Sequence, residues 1–250
     1  MKYFAHTRLC LTLLGSLWLG LNTAARAEPE SPVTTHLKSA VISEPAPLIL
    51  FEPPNDDRVT TSRGGASRPV AEKCLNDAAY ATPLTALIPE SGIGLTGEAH
   101  PTLLVYVPPT AATEAHLTLR NNDRSGLYQS RIQLPQTGGI LQITLPPESP
   151  ELAVDQTYHW SLAILCQPTQ TDLPTATGQI RRVELSETVE GSSLLSQAEL
   201  YGRLGVWHDM LATLAALRQS QPDNTTLATN WAEVLQAENL DAIANTPLLD

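Results

Sequence analysis

Cysteine is scarce in this chain of 250 residues, three in all, and aromatics make up only 5% of it. No C-x-x-C occurs and no histidine cluster accompanies a cysteine, which excludes zinc ribbons and thioredoxin-like redox motifs. The G-x-S-x-G of a hydrolase nucleophile turn is missing too, and no Ser, His and acid stand in a strand-turn-helix context. Basic residues are outnumbered: 15 Lys and Arg face 26 Asp and Glu, for a formal net charge of −11. That balance does not suit nucleic acid, whose phosphates need a cationic surface. Beyond the first 27 residues no apolar run approaches the ~20 residues that a membrane-spanning helix needs.

Those first 27 residues differ in kind. Lys2 and Arg8 open them, an apolar run from Leu9 to Leu21 follows, and Ala25-Arg26-Ala27 supplies small residues in an A-x-A arrangement. The pattern predicts a secretory signal peptide cleaved near Ala27 and export to the periplasm, the cell envelope or the exterior. Cys10 precedes the apolar run, where a lipid-anchor cysteine does not belong. Cleavage would remove Lys2, Arg8 and Arg26 and no acid, taking the net charge from −11 to −14. Two cysteines would remain, Cys74 and Cys166. An even pair in an exported chain points to a disulfide, with a redox or metal pair as the alternative. Closing a loop of about ninety residues would stabilise the chain by roughly 4 to 5 kcal/mol on the chain-entropy model.

Residues 28–72 read as a linker. Seven prolines and the polar tract from Thr60 to Arg68 leave little apolar surface to offset the cost of ordering the chain. Leu48-Ile49-Leu50-Phe51 is the exception, able to add a strand to an exposed sheet edge or to dock on a partner.

From Cys74 to Glu187 short apolar runs alternate with Pro, Gly and Asn-Asp breaks. Strands are predicted at residues 84–88, 102–107, 116–120, 127–134, 140–145, 158–166 and 177–185. Alternation such as Leu117 and Leu119 around Thr118 turns one face to a core and one to water. Asn121 to Gly126 reads as a hairpin turn, with Gly126 where positive φ is expected. Val154 to Leu165 is similar to a late strand of fibronectin-type sandwiches, with Tyr158 and Trp160 as core aromatics. The count and spacing predict an immunoglobulin-like antiparallel β-sandwich over residues 73–187.

Residues 192–250 change period. Leu200, Leu204, Trp207, Met210, Leu211, Leu214 and Leu217 recur at three and four residues, as one face of a helix requires. Ser196 with Glu199 suggests a capping box, Gly205 a reversal, Pro222 a stop, and Asp223 or Asn224 a new cap. Gly205-Val206-Trp207 followed by Met210-Leu211, Leu214, Leu217 and Pro222 resembles the second half of a tetratricopeptide repeat. One and a half such repeats cannot close a core, so the helices must lean on the preceding domain. The fold class expected is therefore α+β. Tyr201, Trp207, His208 and Trp231 are the candidate binding surface, a groove for peptide or sugar; for the aromatics Tyr201, Trp207 and Trp231 the favoured reading is packing of helix against helix or helix against sandwich.

The chain also resembles a cyanobacterial family known as domain of unknown function 928. The carriers are Leu84 to Pro89, Leu95-Thr96, Pro101 through Tyr106-Val107-Pro108, Thr157 to Trp160 with Cys166, and Leu200-Tyr201 to Pro222-Asp223. The resemblance implies a domain order and no activity. Gly92-Ile93-Gly94-Leu95-Thr96-Gly97 spells G-x-G-x-x-G, but a strand rather than a helix is expected after it, so the dinucleotide reading fails and a flexible loop is expected. No catalytic, metal or cofactor residues stand out. The expectation is a non-enzymatic envelope or periplasmic adaptor whose partner is another envelope protein. A carbohydrate-binding module for cell-wall polysaccharide or exopolysaccharide is the alternative.

Overall fold

The structure, a computed structural model, describes residues 48–54, 82–166, 173–186 and 191–249. All of them fall in one compact unit, Glu44–Asp250. The expected signal peptide, most of the expected linker and Cys74 lie outside the described residues. Cys166 is disulfide-bonded.

Eight strands and three α-helices form among the described residues. The strands are β1 (Thr85–Ala86), β2 (Ile93–Thr96), β3 (Thr102–Val107), β4 (Glu114–Asn121), β5 (Gly126–Gln133), β6 (Gly139–Thr144), β7 (Thr157–Ile164) and β8 (Thr175–Arg182). The helices are α1 (Leu194–Arg203), α2 (Trp207–Ser220) and α3 (Thr225–Ala237), followed by a short 3-10 turn, Asp241–Ile243. The strands make a three-stranded sheet, β1-β3-β6, and a five-stranded one, β2-β8-β7-β4-β5. The chain is thus mostly sheet with three short helices.

β3 explains the layering. Its sequence, Thr-Leu-Leu-Val-Tyr-Val, has no polar alternation because both of its faces are buried. Leu103, Val105 and Val107 point into a core shared with Leu117, Trp160 and Leu162 of the five-stranded sheet. Leu104 and Tyr106 point the other way, into a second core with Trp207, Leu211 and Trp231 of the helices. The order of layers is five-stranded sheet, three-stranded sheet, helices. β4 and β7, by contrast, alternate as a half-buried strand should: Ala115, Leu117 and Leu119 are buried while His116 and Arg120 are exposed.

Several expectations are corrected. The G-x-G-x-x-G stretch is a strand, β2, rather than a flexible loop. It pairs parallel with β8, so the five-stranded sheet is not wholly antiparallel. In the β4–β5 turn the positive φ belongs to Arg124 (65°), while Gly126 starts β5. The Asp123 carboxylate accepts from the Ser125 N–H (2.9 Å) and hydroxyl (2.6 Å), which fixes the turn two residues earlier than the glycine suggested. Ser193, not Ser196, caps α1. Its hydroxyl oxygen accepts from the Ser196 N–H at 3.1 Å, so Glu199 has no box to close. Gly205 (φ 69°) reverses the chain and the Asn224 side chain caps α3, as the sequence predicts.

The segment at residues 48–54 does not behave as a linker. Ile49 is 1% exposed in the helical core, and the Glu52 N–H donates to the Gly202 carbonyl at 3.0 Å. Phe51 meets Trp207 edge to face, with ring centroids 4.7 Å apart. The segment adds no strand to a sheet edge. It lies over α1, where Gly202 admits it: a Cβ there would stand 2.3 Å from the Leu50 carbonyl oxygen.

Candidate functional site

The four residues expected to line a binding groove are all buried. Tyr201 is 6% exposed, His208 1%, and Trp207 and Trp231 0%. The groove expectation is therefore corrected: three apolar layers need these rings for their own packing. Trp231 lies beneath Arg218, whose guanidinium sits 5.0 Å from the ring centroid. Burial raises the Tyr201 phenol above its usual range, and the nearby carboxylates of Asp209 and Glu98 add to the effect.

Three of the buried groups are consecutive and form a clamp. Trp207, His208 and Asp209 make up the first turn of α2, where neighbours point about 100° apart, and each grips a different part of the sheets. The Trp207 indole N–H donates to the Leu87 carbonyl at 2.9 Å. The His208 ring bonds the Thr102 backbone and lies against β2 at Gly94, where a Cβ would come within 2.4 Å of Nε2. The Asp209 carboxylate accepts from the Thr96 hydroxyl at 2.8 Å and from the Gly97 N–H at 2.7 Å. Arg182 completes the junction, donating through Nε to the Gly97 carbonyl (3.2 Å) and through Nη1 to that of Leu152 (2.8 Å).

The clamp's electrostatics follow from its dryness. Desolvation pushes the Asp209 carboxyl up from 3.8 to about 6; the Gly97 and Thr96 donors oppose this, and the Glu98 charge adds to it. Desolvation pushes the His208 imidazole down from 6.5 to about 4, against the Thr102 hydrogen bond. Both groups are packed away from solvent, so the cluster holds α2 onto the sheets. Among the described residues no group of three His, Cys, Asp or Glu side chains is placed to hold a metal ion, and no helix is long and apolar enough to cross a membrane.

A surface feature is found at the far side of the five-stranded sheet. β5 is an edge strand of eight residues, paired on one side to β4. Among the described residues nothing pairs with its other side. The remaining edges differ. That of β6 is covered by the C-terminal segment, where the Ile140 N–H donates to Pro247 and the Leu249 N–H to Ile140. β1 has two residues, and β2 is held along its length by α2. Tyr128 and Ile132 of β5 are half-buried against the sheet core, so the edge has an apolar side. An unpaired strand edge presents backbone donors and acceptors to any extended chain of matching shape.

A family model described as Domain of Unknown Function (DUF928) matches residues 63–248. The chain belongs to this family. No curated protein matches it. One similar solved structure is a CARDB domain from Pyrococcus furiosus in complex with di-metal ions; it is 11% identical, covers 40% of this chain and 91% of its own, and has a TM-score of 0.25.

Sequence reasoning missed the β2 half of the clamp. Gly94, Thr96 and Gly97 lie in a stretch whose glycines read as a loop, and Asp209 looks like an ordinary first-turn helix acid. The pairing of a glycine-interrupted strand with a buried aromatic-His-Asp turn was present in the sequence, but it joins residues more than 100 apart. The openness of β5 had no sequence signal of its own, since an edge is defined by which strand fails to arrive beside it.

Proposed function

We propose that the mature chain is an exported, non-enzymatic interaction module of the cell envelope that takes up an extended segment of another protein along β5. The observation that carries this reading is the eight-residue edge of β5, which nothing pairs with among the described residues, beside other described sheet edges that are short or covered. The helical groove plays no part in it, because its aromatics are spent inside. We read the two sheets as immunoglobulin-like. In support, the Tyr158 hydroxyl oxygen accepts from the Ala153 N–H at 2.9 Å, five residues upstream, in the manner of a tyrosine corner. The α1–α2 hairpin, with Gly205 at the reversal and Trp207 two residues on, is read as tetratricopeptide-like. Cys166 is read as paired with Cys74, the other cysteine left after signal cleavage; thiol labelling of the denatured, unreduced protein should tag neither.

The test of the adaptor reading is cross-linking in cells with a photoreactive residue at Gln129 on β5, and at Gln219 on α2 as control. A reproducible envelope protein captured from Gln129 and absent from Gln219 is expected. Capture of polysaccharide without protein at Gln129 overturns the reading in favour of a carbohydrate module. That alternative has few rings to work with: Trp160, Trp207 and Trp231 are 2% exposed or less.

A further inference from the structure

The half of the five-stranded sheet that leads to the open edge carries an unexpected sign of charge. Four of the arginines among the described residues are exposed, and three of these, Arg120, Arg124 and Arg131, belong to the β4–β5 hairpin. Register places Arg120 and Arg131 on one face, with Arg124 in the turn between the strands. On β4, the residues that point away from the core are Glu114, His116, Thr118 and Arg120, since Ala115, Leu117 and Leu119 point into it. His116 stands opposite Arg131 of β5, and Arg120 opposite His159 of β7. Rows two residues apart along a strand are about 7 Å apart, so two cationic positions flank the Thr118 row.

Glu114 is the sole acid on this face of β4, β5 and β7. It is already engaged, by Gln133 Nε2 at 3.2 Å and Arg131 at 3.6 Å. The Arg131 side chain is 71% exposed, and such an exposed pair is worth little, so Arg131 can exchange partners. On a chain of formal charge −11, this cationic strip is local and sits beside the one long open edge described. A strand added to β5 would have its own alternation dictated. Side chains on the outer face would meet Gln129, Arg131 and Gln133; those on the inner face would meet Tyr128, Ser130 and Ile132.

We infer that the segment β5 receives is a strand with acidic residues at alternate positions and apolar ones between them. This inference rests on the adaptor reading and adds to it the chemistry of the partner. A second copy of β5 does not meet the requirement, because edge-to-edge pairing would bring arginine toward arginine. An anionic polysaccharide could meet the charges but has no peptide groups for the edge.

The experiment uses the nitrogen-15-labelled mature chain with its disulfide intact. It is titrated separately with a ten-residue blocked peptide alternating Glu and Val, with one alternating Lys and Val, and with polygalacturonate. The Glu-Val peptide is expected to slow amide exchange across Leu127–Gln133 and to bind at least tenfold more tightly than Lys-Val. Arg120→Glu with Arg131→Glu should reverse that preference; both sites are exposed, and an unchanged melting curve will show that the variant folds. Equal binding of the two peptides, absence of protection on β5, or polygalacturonate binding at His116 and Arg120 without edge protection each overturns the inference. A protein cross-linked from Gln129 alongside any of those results leaves the adaptor reading standing. Failure to cross-link any protein from Gln129 removes both.

Discussion

His208 and Asp209 are adjacent, both buried, and perturbed in opposite directions, which predicts an unusual pH response. Between pH 4 and 6 the folded chain keeps a proton on Asp209 that an unfolded chain has released, so raising the pH through this window lowers stability. His208 works against it. There the unfolded chain holds a proton that the folded one has given up, so raising the pH from about 4 to 6.5 raises stability. Each contribution is about 3 kcal/mol, at roughly 1.4 kcal/mol per pH unit of displacement, and they offset one another. Urea midpoints of the native chain should therefore be nearly flat from pH 4 to 6. Asp209→Asn should expose the His208 slope, with stability rising toward pH 6.5, and His208→Gln should expose the Asp209 slope, with stability falling. Two variants that slope the same way would show that the pair is not the cause. The same ring decides Gly94. A Cβ 2.4 Å from Nε2 and 2.6 Å from Cδ2 cannot be relieved by rotation, since the imidazole is also tied to Thr102. Gly94→Ala should cost about 3 kcal/mol, and His208→Ala in that background should cost clearly less than it does alone. None of this was legible from composition: His208 reads as a groove residue and Asp209 as an ordinary first-turn helix acid until β2 is placed against them.

Elements were legible where one face of a strand or helix is wet. β4, β5 and β7 alternate, and their predicted bounds lie within two residues of those observed. β3 was found as an apolar run, and only its two-sided burial explains why it does not alternate. β2 was lost because its glycine, required by His208, imitates a loop. The segment at 48–54 was half legible. Leu48 to Phe51 stood out as apolar within a proline-rich stretch, but its docking site is α1, whose Gly202 and Gly205 read only as helix punctuation. Ile49 is the anchor, 1% exposed, with its N–H facing the Asn230 side chain at 3.5 Å. Ile49→Ala should cost about 3 kcal/mol by cavity formation, measured as a fall in urea midpoint at constant slope. Limited proteolysis carries the same expectation: trace protease should remove chain before residue 48 while residues 48–54 survive as long as the helices do. Early cutting between Ile49 and Phe51 would show that the segment does not hold.

The whole molecule stands or falls on β3, because the two cores share it. Helices of 10, 14 and 13 residues are marginal alone in water. Three such short helices have too little buried surface of their own to close a core. Their buried face is completed by Leu87, Leu104, Tyr106 and Ile140 from the three-stranded sheet. That dependence was foreseeable in outline, since the helical period supplied too few repeats; which strand would supply the missing face was not, because nothing in an apolar run says how many layers will cover it. Two consequences can be measured. A peptide of residues 191–250 should show little helix by far-ultraviolet circular dichroism at neutral pH. In the full chain the three tryptophans among the described residues divide the layers between them, with Trp160 in the sheet core and Trp207 and Trp231 in the helical one. Variants keeping Trp160 alone, or Trp207 alone, should lose native fluorescence at urea midpoints lowered in parallel with far-ultraviolet dichroism, because unfolding either layer strips one face of β3. A Trp207 signal that melts well before the dichroism of the sheets would separate the helices as an independent unit and refute the shared-strand account.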